Sequence, residues 1–284
     1  MLTLGTAQFG LNYGINNNIG IPSNEEIKNI LNLCIQNQVE YVDTAQDYGD
    51  AQKKLGRYNL EKFKIISKIK NIDSLEDLIF KYEQILKELN VSNIYGLLIH
   101  STSDIMNNER VWHYLQNLKK NQTNLKIGYS IYTVEEMLVL LDKNFIPDII
   151  QIPYNIFDRE FEPHFKMLND LNVNIFVRSV FLQGLFFMKS SQIPYKLSKL
   201  KPKLYELNKI CAKYSISISE AAIGFVIRNN NITGIITGVE SSSQFISNIN
   251  LMKNSLSTEC INELSKISTN KFEPLSKPNM WNYE

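Results

Sequence analysis

Residues 64–100 read KIISKIKNIDSLEDLIFKYEQILKELNVSNIYGLLIH and carry the clearest structural pattern in the chain. The two ends of this stretch, residues 64–68 and 94–100, are short runs rich in β-branched and apolar residues, as in buried strands. Between them, a helix beginning at Ser74 places apolar residues three and four positions apart on one face: Leu75, Leu78, Ile79, Tyr82, Ile85, Leu86 and Leu89. This pattern predicts two parallel strands joined by a helix that covers the sheet.

The same alternation continues along the rest of the chain. Helix starts are marked by Ser23, Ser74, Thr133 and Ser219, each a hydroxyl residue followed by acidic residues. The strand candidates are residues 2–5, 40–43, 64–68, 94–100, 126–129, 149–152, 174–177 and 234–236. Eight strands with helices between them predict an α/β fold, a closed (β/α)₈ TIM barrel that forms a single domain over residues 1–284.

Two long segments depart from the alternation. Residues 182–199 form a long loop after the seventh strand, and residues 269–284 form a C-terminal extension. Long loops on such barrels are often functional lids. A doubly wound open sheet is the alternative architecture, but it would place a GxGxxG turn after an early strand, and the sequence has none.

Composition narrows the classes of partner. The 30 basic and 29 acidic side chains nearly cancel, so no net charge favours a nucleic acid or a membrane surface, and a small molecule fits better. The three cysteines lack metal-ligand or CxxC spacing, and no metal site is predicted. Without a signal-peptide pattern or a membrane-length apolar run, we expect a cytoplasmic protein. The run Asn16-Asn17-Asn18 is interpreted as base-composition bias.

Polar residues at the strand ends carry the candidate chemistry. The second strand ends in Asp43 with Tyr48 in the following loop, the third ends in Lys68, and the fourth ends in His100. Because neighbouring strands lie about 4.8 Å apart, these four groups should meet within roughly 10 Å. Asp43 and Lys68 alone would suggest a structural ion pair, but their coincidence with a phenol and an imidazole favours a proton-donating centre.

The Tyr48 phenol would need help to act as an acid near neutral pH, because the usual tyrosine pKa is about 10. An ammonium about 4 Å away stabilises a phenolate by up to ~4 kcal/mol, equivalent to roughly three pKa units. We therefore expect Lys68 to lower the pKa of Tyr48, with Asp43 as the counter-charge and His100 as a hydrogen-bond partner of a carbonyl oxygen.

The chain closely resembles the aldo-keto reductase family in six segments that occur in the family's order: GTAQFG (5–10), VDTAQDYGDAQKKLG (42–56), SK (67–68), LLIH (97–100), QIPYNIFDR (151–159) and RSVFLQGL (178–185). The resemblance implies a barrel that reduces a small-molecule carbonyl with NADP(H) or NAD(H). It also implies a catalytic tetrad of Asp43, Tyr48, Lys68 and His100. The seventh-strand segment is similar to a bacterial branch associated with surface-carbohydrate biosynthesis.

The resemblance also implies cofactor-binding positions. Ser130 and Gln151 correspond to residues that bind the nicotinamide carboxamide, although the asparagine that commonly follows the serine is Ile131 here. Arg178 stands where many members place a tyrosine that stacks on the nicotinamide, and a planar guanidinium can also stack. The other positions are Gly5 and Thr6 near the N-terminus, Ser179, Phe181, Gln183 and Gly184 in a pyrophosphate loop, and Gly238, Ser242, Gln244 and Asn248 in an adenosine-binding stretch.

The residues after the eighth strand bear on the choice between NADH and NADPH. Residues 237–244 read TGVESSSQ and contain no basic side chain to hold the 2′-phosphate of NADPH. The Glu240 carboxylate would accept a hydrogen bond from a free 2′-hydroxyl and repel a phosphate. Serine hydroxyls at 241–243 and the more distant Lys253 remain alternative phosphate ligands. We therefore predict that the protein accepts NADH and shows no large preference for NADPH.

Three functional hypotheses remain at this point. Carbonyl reduction with Tyr48 as proton donor is favoured, a barrel lyase or aldolase using Lys68 as a Schiff base is the second, and a cofactor-binding regulatory protein is the third. The substrate pocket is expected to have an apolar wall formed by Phe9, Tyr13, Phe181, Phe186, Phe187 and Trp281. The substrate itself and the oligomeric state are left open.

Overall fold

The computed structural model describes residues 1–267, Pro278 and Trp281. Residues 1–267 contain eight strands: β1 (Leu2–Gly5), β2 (Tyr41–Asp43), β3 (Lys64–Ile69), β4 (Gly96–Ile99), β5 (Lys126–Ser130), β6 (Ile149–Pro153), β7 (Asn174–Arg178) and β8 (Ile232–Gly238). Each strand pairs in parallel with the next, and β8 pairs with β1 to close the barrel. The predicted fold class is confirmed, with β8 longer than expected and β4 shorter.

Helices lie between the strands. They are α1 (Ala7–Gly10), α2 (Asn24–Gln36), α3 (Ala51–Leu55), α4 (Leu75–Leu89), α5 (Thr102–Asn107), α6 (Arg110–Asn121), α7 (Val134–Asp142), α8 (Phe165–Asp170), α9 (Lys201–Tyr214), α10 (Ile218–Ile227), α11 (Ser242–Leu251) and α12 (Thr258–Leu264). In α4, the apolar stripe buries Leu78, Tyr82, Ile85 and Leu89, as the sequence predicts.

Three of the four predicted helix starts are confirmed. The hydroxyls of Ser23, Ser74 and Thr133 each accept a hydrogen bond from a backbone N–H in the first turn of their helix. The prediction for Ser219 is wrong, because Ser217 caps α10 and Ser219 lies within the first turn. Ser217 is three residues before Glu220, the spacing of a capping box, and both reciprocal hydrogen bonds of that motif are formed.

One layer of apolar side chains packs together inside the barrel, and we call it the interior plug. It consists of Tyr41, Ile66, Leu98, Ile149, Phe176 and Ile236, one residue from each of six strands. Side chains two positions apart on a strand share a face. The residues two positions after the plug therefore also face the interior, and they are Asp43, Lys68, His100, Gln151, Arg178 and Gly238.

Two loops meet above the plug. The long loop after β7 forms 3₁₀ turns at Leu182–Phe187 and Tyr195–Leu200. Its Gln183 and Gly184 adopt φ angles of 53° and 89°, and only glycine takes the left-handed region without strain. The Ile15 N–H donates to the Gln183 carbonyl at 3.0 Å, and the Gln183 side chain donates to the Tyr13 hydroxyl at 3.0 Å. We call this connection between the β1 and β7 loops the loop bridge.

The C-terminal extension predicted for residues 269–284 falls almost entirely outside the described residues. Trp281, which is described, belongs to the main apolar cluster. Its backbone N–H donates to the Pro278 carbonyl at 3.1 Å. In the described part of the chain, no single helix is long and apolar enough to cross a membrane. One bent pair, Tyr195–Tyr214 with Ile218–Ile227, passes by length and composition alone, and buried residues of both helices belong to the main apolar cluster.

Candidate active site

Lys68 lies at the centre of the candidate site, fully buried on β3. Its Nζ donates to Asp43 Oδ2 at 2.8 Å, to the Thr44 carbonyl at 2.8 Å and to the Tyr48 hydroxyl oxygen at 3.2 Å. An ammonium has three N–H bonds, so these contacts use all of them. The structure therefore joins the predicted cation, acid and phenol through direct hydrogen bonds.

Asp43 is fixed from both sides of the barrel. Its Oδ1 accepts a 2.6 Å hydrogen bond from the Gln151 side chain on β6, while its backbone carbonyl accepts from the Thr6 N–H and hydroxyl. Gln151 is predicted as a carboxamide-binding residue, and the structure adds a second role for it. Gln151 donates to the same carboxylate that accepts a hydrogen bond from Lys68.

The expectation for the Tyr48 pKa is wrong. Burial raises the pKa of Tyr48 well above its ordinary value, and the nearby Asp43 charge raises it further, while Arg178 opposes the shift. The ammonium alone would lower the pKa of Tyr48, but desolvation of the phenolate acts in the opposite direction and dominates at this depth. Tyr48 therefore keeps its proton at neutral pH. Because its oxygen accepts from Lys68, that proton is left for another acceptor.

His100 completes the group of four and lies beside Tyr48, with ring centroids 6.4 Å apart. Its Nδ1 lies 3.4 Å from Asp47 Oδ2, and the Lys70 ammonium contacts the same oxygen at 2.9 Å. Burial lowers the pKa of His100 although Asp47 acts in the opposite direction. The imidazole is therefore neutral at pH 7. Asp47, which sequence reasoning missed, directly precedes Tyr48.

A cavity of about 320 Å³ opens beside these groups. Most of the predicted site residues line it: Gly5, Thr6, Asp43, Tyr48, Arg178, Ser179, Phe181, Gln183, Gly184, Gly238, Gln244 and Asn248. The predicted residues that lie off the cavity wall are Lys68, His100, Ser130, Gln151 and Ser242. Lys68 contacts Tyr48, which does line the cavity, and Ser242 is half-buried at the start of α11.

Ser130 and Gln151 have buried polar atoms that fit an amide-bearing ligand. They are paired neighbours, Ser130 at the end of β5 and Gln151 in the middle of β6. Among the described residues, neither the Ser130 hydroxyl nor Gln151 Oε1 has a hydrogen-bond partner. Buried polar atoms without partners are costly, and a functional site is one reason to retain them. A nicotinamide carboxamide would supply the missing donor and acceptor, so these residues suit the cofactor that the family resemblance implies.

Arg178 and Ile131, the two departures from the family pattern, contact each other. The Arg178 guanidinium donates to the Ile131 carbonyl at 3.0 Å, and its Cζ lies 3.9 Å from the centre of the Tyr132 ring. Arg178 also lines the cavity. The predicted stacking surface is thus a guanidinium that is itself held against an aromatic ring.

The predicted apolar wall is confirmed in part. Tyr13, Phe181 and Phe187 line the cavity, and the latter two rings are 5.3 Å apart. Phe9, Phe186 and Trp281 are instead packed in the main apolar cluster. Phe9 lies in α1 and Phe186 packs against Phe157 at 4.9 Å, so neither ring reaches the cavity wall.

Several lining residues were missed by sequence reasoning: Gln8, Gly14, Asn16, Asn17, Ser219, Glu240, and Ser247 among the polar or small ones. Glu240 was weighed for cofactor choice but not assigned to the site. The asparagine run is more than composition bias, because the Asn17 side chain accepts from the Ile19 and Gly20 N–H groups and donates to the Tyr13 carbonyl. It shapes the loop that carries Tyr13.

No group of three or more potential metal ligands occurs among the residues that the structure describes. His113 and Gln116, both on α6, contact each other at 3.3 Å.

Comparison with known proteins places this geometry in context. Residues 1–269 match the aldo/keto reductase family. A putative aldo-keto reductase from Pseudomonas aeruginosa has a similar structure, with a TM-score of 0.67, 22% identity and 88% of each chain covered. The holo form of an aldo-keto reductase from Bacillus halodurans has a TM-score of 0.77 at 16% identity, covering 94% of this chain and 92% of its own.

A thermostable aldo-keto reductase in complex with the inhibitor epalrestat has a TM-score of 0.69 at 19% identity, with 94% of each chain covered. At these identities the solved structures show the fold alone. No curated protein matches the chain by sequence. None of these comparisons supports the surface-carbohydrate branch, which stays a prediction.

Proposed function

Because this chain belongs to the aldo/keto reductase family, we propose that it reduces an aldehyde or a ketone to an alcohol with NADP(H) or NAD(H), and that Tyr48 donates the proton. The observation that carries the proposal is the placement of Lys68. It donates to both Asp43 and Tyr48, and the phenol so held lies on the cavity wall. A barrel with such a group at the carboxyl ends of its strands is built for chemistry at that end.

Each member of the group has a role set by its surroundings. Tyr48 is protonated at neutral pH because burial raises its pKa, as an acid must be before it reacts. As the proton leaves, the Lys68 ammonium 3.2 Å away stabilises the phenolate that forms. The Asp43 charge opposes the lowering of the Lys68 pKa by burial. His100, which lies beside Tyr48 but off the cavity wall, would hydrogen-bond the oxygen of a carbonyl that reaches it.

A bound reduced nicotinamide would supply the hydride for the carbonyl carbon. Ser130 and Gln151 would hold its carboxamide, Arg178 would lie against its ring, and Ser179 to Gly184 would contact the pyrophosphate. The loop bridge would cover this part of the cavity, since Tyr13, Gln183 and Gly184 all line it. Excluding water in this way strengthens the hydrogen bonds inside the site.

The aldolase alternative is disfavoured by the contacts of Lys68. Burial lowers its pKa, which would suit a nucleophilic amine, but the Asp43 charge opposes this. All three N–H bonds are engaged, and Lys68 is not on the cavity wall. Formation of a Schiff base would remove the Lys68 ammonium from Asp43. Asp43 would then be a buried carboxylate without a counter-charge, which is strongly unfavourable.

The cavity wall supports a substrate with an apolar face. Tyr13, Phe181 and Phe187 offer aromatic surfaces, which accept an aromatic aldehyde or the face of a sugar. A surface-carbohydrate precursor therefore remains a candidate. We also propose a cytoplasmic location, since Cys34, Cys211 and Cys260 are free and buried.

The test uses reduced cofactor carrying deuterium at the transferable position, with a panel of aromatic, aliphatic and sugar-derived carbonyls. We expect deuterium on the former carbonyl carbon and a solvent proton on the oxygen. Borohydride trapping of substrate on Lys68 would instead support the aldolase. Tight cofactor binding without turnover of any carbonyl would support the regulatory alternative.

A further inference from the structure

We propose that the cavity accepts NADH and rejects NADPH, with Glu240 and Glu26 as the specificity-determining residues. This inference rests on the proposed function and names the cofactor for it. It concerns the part of the cavity wall that is formed by residues after β8, namely Glu240, Gln244, Ser247 and Asn248.

The charges on the cavity wall favour a ribose without a phosphate. Within the described residues, the charged side chains that line the cavity are Asp43, Arg178 and Glu240. Arg178 projects from the end of β7, where it lies against Tyr132. A 2′-phosphate carries a charge of about −1.5 to −2 at neutral pH. Among the described residues that line this end of the cavity, it would meet the Glu240 carboxylate and no cation.

Several N–H donors in the first turn of α11 are already used within the protein. A helix N-terminus normally binds anions through its free N–H groups. Here the Gln244 N–H donates to the Ser241 hydroxyl at 3.3 Å, and the Phe245 N–H donates to the Ser241 carbonyl at 3.1 Å. The Gln244 side chain turns back to accept from the Glu240 N–H at 2.9 Å. These donors are satisfied within the protein.

Glu26 occupies a further N–H donor at this helix start. It lies on α2, and its carboxylate accepts from the Ser242 N–H. That hydrogen bond lowers the pKa of Glu26, so the carboxylate is charged at neutral pH. An anion of the protein itself is therefore bound where the helix would attract a phosphate. A phosphate at this helix start would meet the carboxylate of Glu26, which does not line the cavity, besides that of Glu240, which does.

The nearest lysine along the chain after β8 is too far away to help. Lys253 follows the C-terminal end of α11, and the ten residues of this helix span about 15 Å. Lys253 therefore lies at the opposite end of the helix from Glu26 and Glu240. A free 2′-hydroxyl, by contrast, donates a hydrogen bond that a carboxylate such as Glu240 accepts well.

Equilibrium titration of the protein with NADH and NADPH, followed by cofactor fluorescence, measures the preference without turnover. We expect NADH to bind at least about tenfold tighter, the effect of a phosphate near two carboxylates in a partly screened site. Calorimetric titration with 5′-AMP and with adenosine 2′,5′-bisphosphate probes the adenosine end alone. The bisphosphate should bind more weakly there.

Two isosteric variants test which residues cause the preference for NADH over NADPH. Glu240→Gln should narrow the ratio of NADPH to NADH dissociation constants by about fivefold, and Glu26→Gln by about threefold, since each removes one charge and keeps an acceptor. Glu240→Lys should reverse the preference. Glu135→Gln, which removes an exposed carboxylate from the first turn of α7, is the matched control and should leave the ratio unchanged.

The outcomes separate this inference from the proposed function. Equal or tighter binding of NADPH by the unmodified protein, or an unchanged ratio in Glu240→Gln, would overturn the inference and leave carbonyl reduction standing. An unchanged ratio in Glu26→Gln would remove Glu26 from it. Binding of neither dinucleotide would overturn the proposed function together with the inference.

Discussion

The Gln151 side chain donates a 2.6 Å hydrogen bond to Asp43, so a strand on one side of the barrel holds the carboxylate that binds Lys68 on the other. Asp43 is almost completely buried, and a buried carboxylate is costly unless its oxygens accept hydrogen bonds. The proton-donating group is therefore linked by hydrogen bonds from β6 through β2 to β3.

We expect Gln151→Leu to lower kcat by about tenfold, because the lost hydrogen bond is worth roughly 1–3 kcal/mol at a buried acceptor. Gln151→Glu should be worse, since it places a second carboxylate against Asp43. Steady-state kinetics give kcat, and circular dichroism checks folding. A Gln151→Leu enzyme with unchanged kcat, but a higher KM for the cofactor, would limit Gln151 to cofactor binding.

Replacing Tyr48 by phenylalanine removes only the phenolic hydroxyl. We expect cofactor binding to persist and turnover to fall by about 10²–10⁴-fold, the usual contribution of a general acid. Single-turnover kinetics with saturating cofactor isolate this step. Turnover near that of the unmodified enzyme would exclude Tyr48 from the mechanism.

Lys68→Met should abolish most activity and raise the pKa of Tyr48 further, because the phenolate loses a cation 3.2 Å away. Ultraviolet titration of tyrosinate, as a difference from Tyr48→Phe, measures this pKa directly. The unpaired Asp43 would cost about 3–5 kcal/mol of stability. We therefore pair the variant with Lys68→Met/Asp43→Asn, which should recover stability but not activity. A Tyr48 pKa that does not move would make Lys68 purely structural.

The stability of the protein should depend on His100 in mildly acidic solution. Burial lowers the pKa of His100 in the folded protein, so as pH falls through the ordinary value of about 6.5 the unfolded chain takes up a proton first. This proton uptake favours unfolding, and stability present above that pH is lost below it. Denaturant titrations from about pH 7 to 5 should show a shallower decline for His100→Gln. Identical slopes would contradict the shift.

The hydrogen bond from Arg178 to the backbone carbonyl of Ile131 should contribute to stability. Arg178→Tyr leaves this carbonyl without its donor. We expect Arg178→Tyr to lower the free energy of unfolding by about 1–3 kcal/mol, the cost of a buried acceptor that loses its partner. Denaturant unfolding measures this, and Ile131→Asn, which keeps the carbonyl, should not reproduce the loss of this hydrogen bond. An Arg178→Tyr protein of unchanged stability would show that the hydrogen bond contributes nothing.

The fold could be predicted because period-two alternation and strand order are local signals. Alternation on β2 and β3 places Asp43 and Lys68 on the interior face, and adjacency of these strands brings them together. The helix cap at Ser217 needed only the capping-box spacing, which a simpler serine-plus-acid rule missed.

The remaining features depend on distances that no local pattern encodes. The high pKa of Tyr48 comes from its burial, which only the assembled barrel determines. Glu26 reaches Ser242 although 216 positions separate them, and in sequence it looks like any other acidic residue at a helix start. Gln151 contacts Asp43 across the barrel, and this contact depends on the diameter of the closed barrel.

The interior plug closes the bottom of the barrel, so the cavity opens only on the opposite side. Tyr41, Ile66, Leu98, Ile149, Phe176 and Ile236 form its floor, and Phe176 fills the space left by Gly234, where a Cβ would lie 2.4 Å from the ring. Any two molecules that bind in this cavity must then enter and leave through the same mouth, beneath the same loop bridge. A larger molecule seated first would become part of the wall for the smaller one.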